Sequence, residues 1–187
     1  MEKKSKLGTR AVWAGEEGPL WERATQVPVV HSVAFGYADL DEWIDVALGR
    51  RPGHIYSRNT NPTVAAFEER LANLDGGVGA VAFASGLAAQ SAAFFTLLNP
   101  GDHVLASQAL YGGSVTQLKH FLRKLSVELT FVNPDDPSAW QAGLRENTKL
   151  LFAETIGNPG GNVLDIETVA GAAPDHPTPP IVDTRLA

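Results

Sequence analysis

The feature that most constrains the fold is a regular alternation of short apolar runs with helical patterns, which begins at residue 61. The apolar runs are each about as long as one buried strand and occupy residues 79–84, 103–107, 127–132, 149–154 and 180–183. Helical patterns precede or separate them, at 61–77, 85–98, 114–125, 137–146 and 164–173. Continuous apolar strands joined by helices are typical of a mostly parallel sheet flanked by helices. The sequence therefore predicts an α/β fold.

Residues 1–60 lack this regularity. They mix proline, glycine and aromatic residues, and they contain one plausible short helix near 40–48. A segment of this kind cannot bury its own apolar side chains well, so we expect it to pack on the main domain or on another subunit. The predicted organisation is an N-terminal arm over 1–60 and a main domain over 61–187.

Composition excludes several classes of function. The net charge of −6 disfavours nucleic acid and anionic membranes as partners, and no apolar run approaches the length of a membrane span. The chain has no cysteine, which excludes thiolate nucleophiles and Cys-ligated metals, and its five histidines show no metal-ligand spacing. The basic start is not followed by the apolar stretch of a secretory signal, so we expect a cytoplasmic protein without a metal site.

Polar residues follow several of the predicted strands, at the sheet edge where α/β proteins bind ligands. Ser85-Gly86-Leu87 would open a helix, Tyr111 would lie on a glycine-rich loop, and Asn158 and Asp183 would follow later strands. Singly, these residues could be an N-cap, a packed loop tyrosine, a polar turn and a strand-end acid. Together they suit a flat heteroaromatic ring that carries a phosphate, with an acid paired to a ring nitrogen. Pyridoxal phosphate has all of these features.

The order and the amino-acid sequences of these segments also resemble those of one family closely. The segments YSRNTNPT (56–63), FASGLAA (83–89), GDHVLASQALYGGS (101–114) and ETIGNPGGNVLDI (154–166) are similar to those of the Cys/Met-metabolism pyridoxal-phosphate enzymes. That family includes cystathionine γ-synthase, O-acetylhomoserine sulfhydrylase and methionine γ-lyase. The resemblance runs from about Thr9 to Asp183 and corresponds to the N-terminal portion of the family. It implies the large domain of a type I pyridoxal-phosphate transferase, truncated, with an irregular N-terminal arm.

The resemblance also implies roles for individual residues. The backbone of Ser85, Gly86 and Leu87 would cradle the phosphate of the cofactor, and Tyr111 would stack on its ring and take part in proton transfer. Asn158 would lie near the phenolic oxygen of the ring, and Asp183 would pair with the pyridinium nitrogen.

Two further residues, Tyr56 and Arg58, match a pair that reaches the phosphate of a neighbouring subunit. The resemblance therefore implies a homo-oligomer, either a dimer or a tetramer. Glu154 lies just before the Asn-Pro motif, and it could bond the local backbone instead of the cofactor.

The implied activity is pyridoxal-phosphate-dependent transsulfuration or sulfhydrylation in methionine and cysteine metabolism. It would be a γ-replacement on an activated homoserine, such as O-acetylhomoserine, with sulfide or a thiol. None of the lysines matches the family's Schiff-base lysine. Lys119 and Lys124 fit a solvated helix face, Lys149 begins a strand, and the remaining three, at positions 3, 4 and 6, lie in the predicted arm. We therefore expect this chain alone to be inactive. The alternatives are a non-catalytic cofactor-binding or dimerisation module, and a methionine γ-lyase-type elimination.

Overall fold

The computed structural model describes residues 6–14, 24–172 and 178–184, except for the side chain of Trp13. The chain divides into two compact units, Met1–Phe83 and Ala84–Ala187. This division groups the helix that follows residue 61 with the N-terminal segment. The predicted arm over residues 1–60 is a segment expected to contact a partner subunit. A division of one chain into compact units does not test that contact, so the arm stays a prediction.

The first unit contains helices α1 (Leu7–Trp13), α2 (Leu40–Ala47) and α3 (Pro62–Asp75). Asn61 caps α3 by accepting the backbone N–H of Thr63 at 2.9 Å, and α3 ends at Gly76, whose φ of 68° suits glycine. The sequence predicted α2 and α3 but missed α1. Arg70 of α3 donates hydrogen bonds to the carbonyls of Val12 and Ala14, both at 3.1 Å. This tertiary contact supports a helix that is too short to form by itself.

The second unit is built on a sheet of four parallel strands, which confirms the predicted α/β fold. The strands stand in the order β2-β1-β3-β4. Their bounds are β1 (His103–Ser107), β2 (Glu128–Val132), β3 (Thr148–Glu154) and β4 (Pro180–Asp183).

Helices precede or connect these strands and cover both faces of the sheet. They are α4 (Gly86–Leu97), α5 (Gly112–Thr116), a π-helix (Gln117–Leu122), α6 (Pro137–Gly143) and α7 (Ile166–Gly171). Alternate residues of the central strands enter two apolar clusters. One contains Val104 and Phe152 with Phe94 and Leu118, and the other contains Leu105 and Leu151 with Trp140 and Val169. This alternation is the reason why the central strands read as continuous apolar runs.

The predicted strand over 79–84 is absent from the structure. Val81 is 74% exposed, and the backbone N–H of Ala82 donates to Glu68 Oε1 at 2.7 Å instead of to a neighbouring strand. A strand forms only where another strand can pair with it, and the described residues provide no such partner for this segment.

The predicted helix over 114–125 begins earlier, at Gly112, and widens into the π-helix. The helices predicted at 137–146 and 164–173 are shorter than expected, and residue 173 lies outside the described residues. Among the helices that the structure describes, none is both long enough and apolar enough to cross a bilayer.

Candidate functional site

Two carboxylates stand side by side where β3 and β4 end. Glu154 and Asp183 are paired residues of the parallel ladder, and the backbone N–H of Thr155 donates to the carbonyl of Asp183 at 3.0 Å. Both residues therefore lie at the carboxyl edge of the sheet, where open α/β sheets bind ligands.

Asp183 is held by a chain of hydrogen bonds from two helices. Its Oδ2 accepts from Nε2 of Gln90 on α4 at 2.7 Å, and Oε1 of Gln90 accepts from Oγ of Ser114 on α5 at 3.0 Å. Gln90 is 7% exposed and Ser114 is fully buried. Because Gln90 lies one turn beyond Gly86, this chain brings the start of α4 close to Asp183.

Glu154 is buried and bonds the backbone at the start of α5. Its Oε1 accepts the N–H of Tyr111 at 2.7 Å. Tyr111 is the residue that precedes α5, where backbone N–H groups have no helical carbonyl to pair with. Glu154 therefore positions Tyr111, and the backbone that it bonds lies 43 positions away in the chain, not in the adjoining Asn-Pro segment.

The ring of Tyr111 packs over Gly113. A Cβ atom on Gly113 would lie 3.0 Å from Cδ1 of Tyr111 and would also overlap the neighbouring ring carbon, whereas a Cβ atom on Gly112 would meet nothing within 4 Å. The small residue at position 113 thus permits the observed position of the tyrosine ring.

The start of α4 presents free backbone donors. Ser85 is the N-cap, and its Oγ accepts the N–H of Ala88 at 3.2 Å. Gly86 and Leu87 are the first residues of the helix, so their N–H groups have no intrahelical acceptor. A Cβ atom on Gly86 would meet nothing within 4 Å, which leaves room for a ligand beside the helix start.

Asn158 lies apart from these contacts, in the exposed loop after β3. It forms a cis peptide bond with Pro159, and the loop is closed by the N–H of Gly157, which donates to the carbonyl of Asn162 at 2.8 Å. None of the described hydrogen bonds involves the Asn158 side chain.

Tyr56 and Arg58 lie in the first unit. The guanidinium carbon of Arg58 is 4.8 Å from the centroid of the Tyr56 ring, a cation–π distance, and both residues are exposed. The backbone of Tyr56 forms an isolated antiparallel β-bridge with Ala34. The two residues therefore form one exposed basic and aromatic pair.

The lysines of the second unit lie away from the carboxyl edge. Lys149 begins β3 and is exposed at the end of that strand opposite Glu154, while Lys119 and Lys124 are exposed on the segment that follows α5. Lys3 and Lys4 are outside the described residues. The positions of Lys119, Lys124 and Lys149 agree with the sequence-based reading.

The sequence analysis missed Gln90 and Ser114. The available signal was a single amide in SGLAAQSAAFFTLL, a helix that is otherwise made of small and apolar residues. A polar side chain at a buried helix position needs a partner, and the partners here are Ser114 and Asp183.

Similarity to known proteins extends over nearly the whole chain. A family model described as Cys/Met metabolism PLP-dependent enzyme matches residues 8–187. The chain is 42% identical over 180 residues to an O-acetyl-L-homoserine sulfhydrylase of Corynebacterium glutamicum, an alignment that covers 96% of this chain and 41% of that protein. It is 35% identical over 184 residues to a homocysteine/cysteine synthase of Saccharomyces cerevisiae, with 97% and 41% covered.

Similarity to solved structures supports the same relationship. A Campylobacter jejuni protein assigned as an O-acetylhomoserine (thiol)-lyase superposes with a TM-score of 0.88 at 31% identity, covering 96% of this chain and 44% of that one. Its structure contains N'-pyridoxyl-lysine-5'-monophosphate. The chain spans about two fifths of the length of the curated relatives that it matches, with 41% of two of them covered. These findings confirm the resemblance, the fold class and the cofactor of the family.

Proposed function

Because the chain belongs to the Cys/Met-metabolism family of PLP-dependent enzymes, we propose that its second unit binds pyridoxal 5'-phosphate at the carboxyl edge of the sheet. The observation that carries this proposal is the hydrogen-bond chain from Ser114 through Gln90 to Asp183. It holds a carboxylate near the start of α4, so that an acid and a set of free amide donors are available to one ligand. That donor set suits a ring nitrogen and a phosphate.

The phosphate would bind at the start of α4. The N–H groups of Gly86 and Leu87 and the hydroxyl of Ser85 can all donate to an anion, and the positive end of the helix dipole favours negative charge there. The open space beside Gly86 supports this placement.

The ring would lie between Tyr111 and Asp183. Tyr111 would stack on one face, and its hydroxyl would carry a proton to or from the substrate, which makes it the proposed catalytic residue of this chain. The carboxylate of Asp183 would accept a hydrogen bond from the protonated ring nitrogen, while Gln90 keeps that carboxylate oriented. When bound, the cofactor supplies an electron sink for chemistry at the substrate's α-carbon.

Three other residues would complete the binding site. Asn158 would lie near the phenolic oxygen of the ring. Tyr56 and Arg58 would reach the phosphate held by a neighbouring subunit, and their exposed cation–π pair is suited to an anion. This role requires a homo-oligomer, a dimer or a tetramer, and sedimentation of the chain at several concentrations tests it; a monomer at all concentrations would contradict it.

For an enzyme of the relatives' length, we propose γ-replacement on an activated homoserine, such as O-acetylhomoserine, with sulfide or a thiol, in the cytoplasm. The matched relatives are sulfhydrylases and a homocysteine/cysteine synthase, which favours replacement over a methionine γ-lyase-type elimination. For residues 1–187 alone we propose cofactor binding without turnover, because Lys119, Lys124 and Lys149 lie away from Asp183.

Cofactor titration tests the binding site directly. Asp183→Asn keeps the shape of the side chain and removes its charge, and Asp165→Asn is the matched control because Asp165 is an exposed N-cap and asparagine caps equally well. We expect the change at Asp183 to weaken pyridoxal phosphate binding about tenfold, measured by the absorbance of the bound cofactor. Equal affinities for the two variants would overturn the proposed role of Asp183.

Borohydride reduction and intact mass test the second part of the proposal. We expect the chain with bound cofactor to show no adduct on a single lysine, and no turnover of O-acetylhomoserine and sulfide above a heat-killed control. A specific adduct on one lysine, or measurable turnover, would show that the chain is catalytically complete.

A further inference from the structure

The outer edge of β2 is an open strand edge. Within the described sheet β2 pairs with β1 alone. Glu128 donates its N–H to the carbonyl of Asp102 at 2.8 Å, and the carbonyl of Val132 accepts from the N–H of Gln108 at 2.9 Å. The backbone N–H and C=O groups of Glu128, Thr130 and Val132 therefore face β1. Because backbone groups alternate along a strand, the N–H and C=O groups of Leu129 and Phe131 face away from the sheet.

A cationic groove runs along this edge. The groove has a volume of about 840 Å³, and its charged lining consists of the basic side chains of Lys119, Arg123, Lys124 and Arg145 and the carboxylate of Glu128. Four basic groups against one acid is a local excess of positive charge on a chain whose net charge is −6. The groove is therefore suited to a partner of negative charge.

The positive charges lie on both faces of the strand edge. On one face, Nζ of Lys119 is 5.0 Å from the centroid of the Phe131 ring. On the other face, Arg145 donates to Oε2 of Glu128 at 2.6 Å and to Oγ1 of Thr130 at 2.9 Å. The Arg145–Glu128 pair is about half exposed, which leaves the guanidinium accessible to another carboxylate.

We propose that the edge of β2 binds an extended acidic segment of another protein, which adds to the sheet as a further strand. The outward backbone groups of Leu129 and Phe131 would pair with the segment. Its alternate side chains would extend towards the two faces, where Lys119 and Arg145 would contact acidic residues.

The same charges would disfavour pairing of this edge with a second copy of itself. Lysine on an open edge repels another edge of the same charge and so protects against aggregation. An acidic strand removes this repulsion, so the arrangement discriminates between a copy of this chain and a partner of opposite charge.

Binding of synthetic peptides to the full 187-residue chain tests the proposal. The probes are a fluorescent peptide that repeats Glu-Glu-Val-Val, which puts glutamates on both faces of an added strand, and a counterpart with lysine in place of glutamate. Binding is followed by anisotropy. We expect the acidic peptide to bind at least about tenfold more tightly, with an affinity that falls as salt rises. Equal binding of both peptides would overturn the proposal.

Backbone methylation separates strand addition from simple charge attraction. Two acidic peptides of the same sequence are compared, one unmodified and one with an N-methyl group on every residue, so the second keeps its charge but has no N–H group to donate to β2. We expect the methylated peptide to lose most of its affinity. Equal affinities, or full competition by inorganic phosphate at matched charge concentration, would point to a small-anion site and overturn strand addition.

Charge reversal locates the site on the protein. Lys119→Glu changes an exposed groove residue, and Lys149→Glu makes the same change at an exposed lysine outside the groove lining. We expect about a tenfold loss of affinity for the acidic peptide in the first variant and little change in the second. An equal loss in both variants would show that net charge alone governs binding.

Discussion

Gln90 and Asp183 are joined by a 2.7 Å hydrogen bond although 93 positions separate them in the chain. The bond connects the buried side of α4 with the carboxyl end of β4, and the second amide atom of Gln90 is engaged by Ser114. One buried amide therefore couples two helices to the acid proposed to hold the cofactor ring.

Replacement of Gln90 by leucine should destabilise the second unit. The substitution removes a partner from buried Ser114 and from Asp183, and an unsatisfied buried polar group costs about 1–3 kcal/mol. Urea unfolding measures the loss, with Gln141→Leu on the exposed side of α6 as the control. If both variants unfold at the same urea concentration, the bridge contributes no stability.

Replacement of Gly113 by alanine should weaken cofactor binding, and the same change at Gly112 should not. The new methyl group at position 113 must displace the Tyr111 ring, whereas at position 112 it enters open space. Both residues lie in α5, so both substitutions raise helix propensity alike. We expect pyridoxal phosphate affinity to fall about tenfold for Gly113→Ala, by absorbance titration. Retention of full affinity would show that the tyrosine ring position is not needed.

The stability of the protein should fall as the pH drops below about 6.5, in part because of His103. His103 is fully buried between the hydroxyls of Thr148 (2.8 Å) and Thr130 (2.9 Å), and burial, reinforced by Arg145, lowers its pKa from the ordinary value of 6.5. The unfolded chain then binds the proton more readily than the folded chain. The contribution of neutral His103 to the free energy of unfolding is therefore complete above pH 6.5, and it is lost as the pH falls towards the lowered pKa.

Urea unfolding at about pH 7.5 and about pH 5 measures this effect. His103→Asn should be less stable overall but should show a smaller loss between the two conditions. His120→Gln is the control, because His120 is exposed. The same pH dependence in wild type and His103→Asn would exclude His103 as a source.

Asn61→Ala should cost more stability than the loss of an ordinary helix cap. Asn61 accepts the N–H of Thr63 at 2.9 Å and donates its amide to the carbonyl of Val30 at 2.9 Å, and it is buried. We expect a loss of about 1–3 kcal/mol in the free energy of unfolding. The control is Asp39→Ala, an exposed cap of α2 that should cost about 1 kcal/mol. Equal losses would mean that the bond to Val30 adds nothing.

The local elements were largely predictable. Pro62 and Gly76 marked the ends of α3, and β1 and β4 match the predicted runs at 103–107 and 180–183. The order of polar residues after the predicted apolar runs also led to Ser85 and Asp183 before any contact was visible, although the run before Ser85 forms no strand. These features depend on neighbours within a few residues, so the sequence records them directly.

The sequence by itself determined the α/β fold, the family and the residues expected at the carboxyl edge. Only the tertiary structure decided that Gln90 and Ser114 connect to Asp183, that Glu154 bonds Tyr111, and that residues 79–84 form no strand. The physical reason is that a partner decides whether a buried amide is hydrogen-bonded and whether an apolar run pairs as a strand. A partner many positions away is brought near by packing, and no local pattern specifies it.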